Sequence, residues 1–353
     1  MRRILVLGGV LVGFAVAVAC RSFEGEDVPV VDAGFDVPPP EEASVGPEAA
    51  ASCPEIVAEP DNPRRLRASP AGVAWIEDGV GADGGPVTGV SSLVEEKGKK
   101  PRPQFVLAEA ALDVCVAGPM VYTLRASSGT LAPLRACALG AAVCPEIQIP
   151  ISAGSGAQQV FGCDGALVAF SAPPSLVGYS TNPPQAIVVP KVGDASFLAP
   201  SGGALYFARG AGGVYSTSFG SDAGPGDGGF TQIVGDDAGA RTVAGLAARS
   251  SRVFFVGQDG GVQVLVRTEP GGQSPTVLRR GALGAFDVDD ASVFLVVANN
   301  GIVRLNRDAT SDKANDERLI VPEPGVTSIG LTGDFVYYTT PKAVKRVPKS
   351  GCP

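Results

Sequence analysis

Residues 285–306 read AFDVDDASVFLVVANNGIVRLN. A short run ends in an Asp-containing turn. An aromatic-bearing apolar strand, SVFLVV, follows, and an alternating strand, GIVRLN, comes after it. A fourth short strand, RLIVPE, closes the unit at residues 318–323. The same order recurs along the chain. The aromatic strand returns as GVAWIE, PMVYTL, LVAFSA, ALYFAR, RVFFVG, SVFLVV and FVYYTT. Its anchors are Trp75, Tyr122, Phe170, Tyr206, Phe254, Phe294 and Tyr337, spaced 36 to 48 residues apart. Their recurrence once per unit reads as one shared register at an inter-unit core. Helical periodicity is weak throughout, and Pro and Gly interrupt every stretch that might carry it.

Four short strands in about 40–45 residues is the period of a β-propeller blade. Residues 53–353 number 301, or 43 for each of seven units; six blades would need 50 each and eight under 38. A β-sandwich also gives short strands with regular turns, but it supplies no reason for a sevenfold recurrence. A ring does. One four-stranded blade cannot cover both of its faces, and in a closed ring the next blade covers each of them. The expected fold is therefore all-β: a seven-bladed propeller, with six or eight blades as the alternatives.

The seventh unit lacks its fourth strand. It stops at AVKRVPKSGCP, residues 343–353. The missing strand is read at the other end of the domain as CPEIVAEPD, Cys53 to Asp61. The cysteines bear on this closure. CPEI occurs twice, at Cys53 and at Cys144, each time opening a fourth strand. Cys137 ends the third strand of blade 2 and Cys352 that of blade 7. Cys137–Cys144 is then a local bridge, and Cys53–Cys352 is its counterpart with the chain cut between the halves. The remaining pair, Cys115 and Cys163, sits in the first strands of neighbouring blades. An even cysteine set of this kind reads as disulfides formed in an oxidising compartment.

The repeats DVDDASVFLVVANNGIVRLNRD and LTGDFVYYTTPKAVKRVPKSG resemble those of a broad group of secreted bacterial propeller proteins. In that group an Asp-led turn precedes Val-Tyr-Trp, and a short strand carries Val-x-Arg. Trp75 is the one Trp retained here. The resemblance implies the fold and export, and no shared activity.

The chain begins MRRILVLGGVLVGFAVAVAC. Arg2 and Arg3 precede an apolar run of 16 residues, Ile4 to Ala19, which is short for a membrane span and of the right length for a signal segment. Ala17-Val18-Ala19-Cys20 resembles a bacterial lipobox, with ordinary signal-peptide cleavage after Ala19 as the alternative. The expectation is a signal peptide over 1–19, then lipidated Cys20 opening a tether over 20–52. Residues 21–52 hold eight acidic residues and one Arg among Pro, Ala and Gly. Such a segment buries too little apolar surface to offset its ordering entropy. Arg21 after the cysteine resembles an outer-membrane sorting signal, so the protein is expected there as a lipoprotein facing the periplasm or the surface.

Composition narrows the chemistry. The chain of 353 residues has a net charge of −8 and no histidine. A net acidic chain without a basic run argues against general nucleic-acid binding. The missing histidine removes His-dependent triads and His-ligated zinc. Asp287, Asp289 and Asp290 are the best acidic cluster, read as a Ca²⁺ loop or, preferably, as an inter-strand turn. Asp222 and Asp227, and the loop from Glu77 to Gly85, are weaker metal candidates. EEKGKKPR, Glu95–Arg102, reads as a solvated turn of mixed charge. Ser69 and Ser328 have no histidine to activate them. The expected function is a non-catalytic binding or scaffolding propeller: a monomer without a cofactor, contacting a protein or glycan through its loops. The alternative is a propeller enzyme, a Ca²⁺-dependent lactonase-like hydrolase or a quinone-cofactor dehydrogenase.

Overall fold

The computed structural model describes residues 53–352 except 81–84, 97, 108–109, 126–130, 142–143, 151–159, 166, 174, 182–183, 191–194, 210–212, 219–229, 236–242, 270–274 and 313–316. The expected signal peptide, Cys20 and the tether fall outside the described residues, as do Asp222 and Asp227. The described strands form seven antiparallel four-stranded sheets, which are the blades of a β-propeller. The innermost strands of blades 1 to 7 are Asp61–Ser69, Ala111–Ala117, Phe161–Asp164, Ala195–Ser201, Gly245–Arg249, Leu283–Val288 and Ser328–Leu331. Each packs against the innermost strands of both neighbours, and that of blade 7 packs against that of blade 1, so the ring closes.

Blade 7 is assembled from both ends of the domain. Its inner three strands are Ser328–Leu331, Phe335–Thr340 and Ala343–Pro348. Its outer strand is Glu55–Ala58, which pairs antiparallel with the third, placing Glu55 opposite Arg346. Beyond this pairing Cys53 is bonded to Cys352, with their Cα atoms 5.6 Å apart. Cys137 is bonded to Cys144 within blade 2, and Cys115 to Cys163 between blades 2 and 3. Cys53–Cys352 and Cys137–Cys144 are the pairs read from the repeated CPEI, and Cys115–Cys163 is the pair that remained.

The core is not a single central mass. The buried apolar residues divide into seven slabs, one in each seam between adjacent blades. This explains the continuous apolar runs of the second strands. Side chains alternate across a strand, and here both faces are covered. In blade 6, Val293, Leu295 and Val297 enter the seam with blade 5, while Phe294 and Val296 enter the seam with blade 7.

The shared register expected for the aromatic anchors holds in five blades only. Tyr122, Tyr206, Phe254, Phe294 and Tyr337 face the following blade. Trp75 and Phe170 face the preceding one, and Ala74 and Ala169 occupy the other side. The aromatic has moved by one residue in these blades, and a one-residue move on a strand changes its face. All seven remain buried, at 5% exposure or less.

Close approach at the hub needs glycine in two places. A Cβ on Gly330 of blade 7 would meet Leu66 Cδ2 at 2.8 Å and Ala68 Cβ at 2.9 Å in blade 1. A Cβ on Gly162 of blade 3 would meet Pro200 Cδ at 2.8 Å in blade 4.

Candidate functional site

The three aspartates of DVDDAS diverge. Asp287 is the penultimate residue of the innermost strand of blade 6, and its carboxylate accepts the Leu331 N–H of blade 7 at 3.0 Å and its own neighbour Val288 N–H at 2.8 Å. Burial pushes its carboxyl up to about 6, against the lowering effect of these two bonds. Asp289 caps the turn by accepting the N–H groups of Ala291 and Ser292, and it pairs with Lys349 of blade 7 at 2.8 Å. These partners hold its pKa below the ordinary carboxylate range despite burial. Asp290 points the other way, to Arg249 and Ser250 of blade 5, each at 3.0 Å. The run is thus a turn whose carboxylates join blades 5, 6 and 7. Among the described residues no group of three or more His, Cys, Asp or Glu side chains is placed to hold a metal ion.

Of the candidate loop Glu77–Gly85, residues 81–84 lie outside the described residues. Glu77 accepts from Trp75 Nε1 at 2.5 Å and from Ser91 at 2.8 Å. Asp78 accepts from Asn62 at 2.9 Å and Arg64 at 2.8 Å. Ser69 donates to the Gly118 carbonyl at 2.7 Å, a link from blade 1 to blade 2. Ser328 Oγ lies 2.5 Å from Thr339 Oγ1 and accepts the Leu66 N–H at 3.4 Å.

Two polar constellations were not foreseen. The first lies at the hub. Asp113 of blade 2 is 1% exposed, and burial raises its pKa. Arg67 of blade 1 is within electrostatic reach of Asp113 and also of Asp287, across blade 7 in blade 6. It is the common counter-charge of the two buried carboxylates.

The second constellation clamps blade 7. Tyr337 and Tyr338 are neighbours on the second strand and face opposite seams. Arg346 and Lys345 lie directly opposite them on the third strand. Toward blade 1, Arg346 Nη1 donates to Glu95 at 2.9 Å and the Tyr337 hydroxyl donates to the same carboxylate. Toward blade 6, Lys345 reaches Glu323 at 2.5 Å and the Tyr338 hydroxyl reaches it at 2.7 Å. Arg346 Nε also donates to Glu55 of the N-terminal strand at 2.8 Å, and the guanidinium lies 4.3 Å from the Phe335 ring centroid. Burial, with the neighbouring glutamates second, raises the pKa of both tyrosines.

The turn Glu95–Arg102 is therefore only partly a solvated loop. Its first residue is a seam residue, with a side chain 11% exposed. Beside it opens a cavity of about 260 Å³, lined by Glu95, Glu96, Lys99, Lys100, Phe335 and Arg346. One sequence signal could have located it: a third-strand arginine, preceded two residues earlier by Leu265, Ile302 or Val344, stands directly opposite the aromatic anchor in blades 5, 6 and 7.

No protein-family model matches the chain, and no curated protein matches it. Solved propellers resemble it in structure. The WD40 β-propeller domain of Doa1 superposes with a TM-score of 0.54 at 11% identity, covering 82% of this chain and 94% of that one. Hsv2 of Kluyveromyces lactis gives 0.52 at 12% identity, covering 81% and 91%. The propeller domain of the Trilobed protease from Pyrococcus furiosus gives 0.53 at 10% identity, covering 83% and 93%. That domain is reported to have an open velcro topology, whereas here the terminal strands pair and are bridged. At such identities the likeness establishes the β-propeller fold and nothing finer.

Proposed function

We propose that this chain is a non-catalytic binding or scaffolding propeller, exported and tethered to the outer membrane through a lipid on Cys20. One observation carries the non-catalytic reading. The aspartates that looked available for chemistry, Asp287, Asp289 and Asp290, are committed to joining adjacent blades, as are Arg346 and Glu95. The loops at the ends of the ring are left to meet a partner, as loops on a rigid scaffold do. Three disulfides fit a protein made in an oxidising compartment. Among the described residues no helix is long and apolar enough to cross a membrane. The partner is a protein or glycan held on the loops.

The hub supports a second reading, a propeller enzyme. Buried Asp113 and Asp287 around Arg67 supply the carboxylates such an activity would use at the channel. Metal analysis of the purified chain separates the two. Stoichiometric Ca²⁺ lost on Asp287→Asn would favour the enzyme. A partner captured from membranes by the metal-free chain, and retained by Asp287→Asn, supports the scaffold. Labelled palmitate incorporated into the wild-type chain and absent from Cys20→Ser supports the anchor; equal labelling removes it.

A further inference from the structure

The cavity at the seam of blades 7 and 1 has a floor that the ring does not fully use. Arg346 is 8% exposed. Its Nε is occupied by Glu55, and its Nη1 by Glu95 and the Tyr337 hydroxyl. Its Nη2 has no hydrogen-bond partner among the described residues. Nor does Nη2 belong to the described side-chain atoms that are both sealed from solvent and unpartnered. A guanidinium carries five N–H donors and no acceptor, so Nη2 holds the donors the ring does not use, on a side chain that lines the cavity.

The rest of the wall points to the same chemistry. The two lining carboxylates are both occupied: Glu95 by Arg346 and Tyr337, and Glu96 by Lys99. Lys100 lines the cavity and has no partner among the described residues. Lys100 and the Arg346 guanidinium therefore bring cationic donors to the cavity, beside two carboxylates that each already hold a cationic partner. Phe335 supplies an apolar wall, its ring centroid 4.3 Å from the Arg346 guanidinium. The cavity is smaller than the roughly 300–1,000 Å³ of ordinary ligand sites, which limits the occupant to a single small group.

We propose that this cavity is a carboxylate-binding site, taking a small organic acid whose apolar body lies against Phe335 and whose carboxylate meets Lys100 and Arg346 Nη2. Pairing of Arg or Lys with a carboxylate gives short, charge-assisted bonds, and a half-enclosed wall strengthens them. This goes beyond the scaffold reading and can fail without it.

Benzoate is the probe. It is titrated into the purified full chain by calorimetry or NMR, beside acetate, benzamide and inorganic phosphate. Saturable binding of benzoate, weaker binding of acetate and benzamide, and a loss of about fivefold or more in Lys100→Gln and in Phe335→Leu are expected, each loss corresponding to about 1 kcal/mol. Lys100→Gln leaves the Arg346–Glu95 pair in place, whereas Phe335→Leu also removes the ring beside the guanidinium, so its unfolding midpoint is compared with wild type. Arg346→Lys, which keeps a charge but removes the Nη2 edge, should weaken benzoate without abolishing folding. The proposal fails if benzoate does not saturate, if benzamide binds as well as benzoate, if phosphate binds in its place, or if both rim variants bind normally. Retention of a membrane partner by Lys100→Gln, with benzoate binding also intact, would discard the cavity and leave the scaffold standing.

Discussion

Arg346 joins three segments that are far apart in sequence: Glu55 of the N-terminal strand, Glu95 of blade 1 and its own blade. The side chains of Arg346 and Glu95 are 9% and 11% exposed. Removing one member of a buried pair typically costs about 3–5 kcal/mol when the other is left unpaired, and Glu55, which still holds Arg346 when Glu95 is gone, sets the loss toward the lower end. Glu95→Ala is therefore expected to lower the urea midpoint strongly, and a change below about 1 kcal/mol would show that water replaces the pair. Asp287 has the opposite character. Its folded pKa is raised to about 6, so folding favours its protonated form. Its contribution is fully present below about pH 4, its ordinary range, and is lost as pH rises toward and through 6. By that linkage the ionised carboxylate opposes folding by about 3 kcal/mol at pH 7.5. Asp287→Asn should therefore gain thermal stability relative to wild type at pH 7.5 and lose that advantage at pH 4. A difference that stays constant with pH would assign the hub carboxylate no titration in this range. Neither residue role was readable in the sequence. A Val-x-Arg motif shows where an arginine lies on its strand, but its partners come from residues more than 250 positions away.

At the scale of the element, the second strands carry most of the fold. Their apolar runs are legible as strands because both faces lie between neighbouring blades. Their facing is less legible. Trp75 and Phe170 look like the other anchors in sequence, yet they enter the opposite seam. The choice depends on which neighbour offers space, and composition does not record it. Innermost strands obey a tighter rule, because they converge at the hub. Gly330→Ala should destabilise the ring by about 1–3 kcal/mol through overpacking against Leu66 and Ala68. Gly118, whose added Cβ meets nothing within 4 Å, has a φ of +55° and would report backbone strain alone. Comparing the two alanine variants by denaturant unfolding separates crowding from strain. If Gly330→Ala is no worse than Gly118→Ala, the hub is looser than these distances indicate.

Closure governs the whole molecule. A ring of blades has one break, and here the break is joined by strand pairing, the Cys53–Cys352 bridge and Arg346. The bridge spans 299 positions, and the local Cys137–Cys144 bridge spans 7. On the chain-entropy view the first restrains the unfolded chain by about 5–6 kcal/mol and the second by about 2.5. Serine at both members of the closing pair should therefore lower stability about twice as much as serine at both members of the local pair. Equal losses would show that the terminal strand holds without its bridge.

Sequence alone carried the propeller, a count of about seven blades with six and eight still open, the broken last blade and the half that completes it; the pairing of strands fixed the count at seven. The period follows from local patterning that each unit repeats, and the broken blade from the second CPEI. Only the tertiary structure decided which face each anchor presents, which carboxylates join blades, and where donors are left unspent. These depend on side chains that meet across seams, from segments whose separation along the chain carries no trace of their contact.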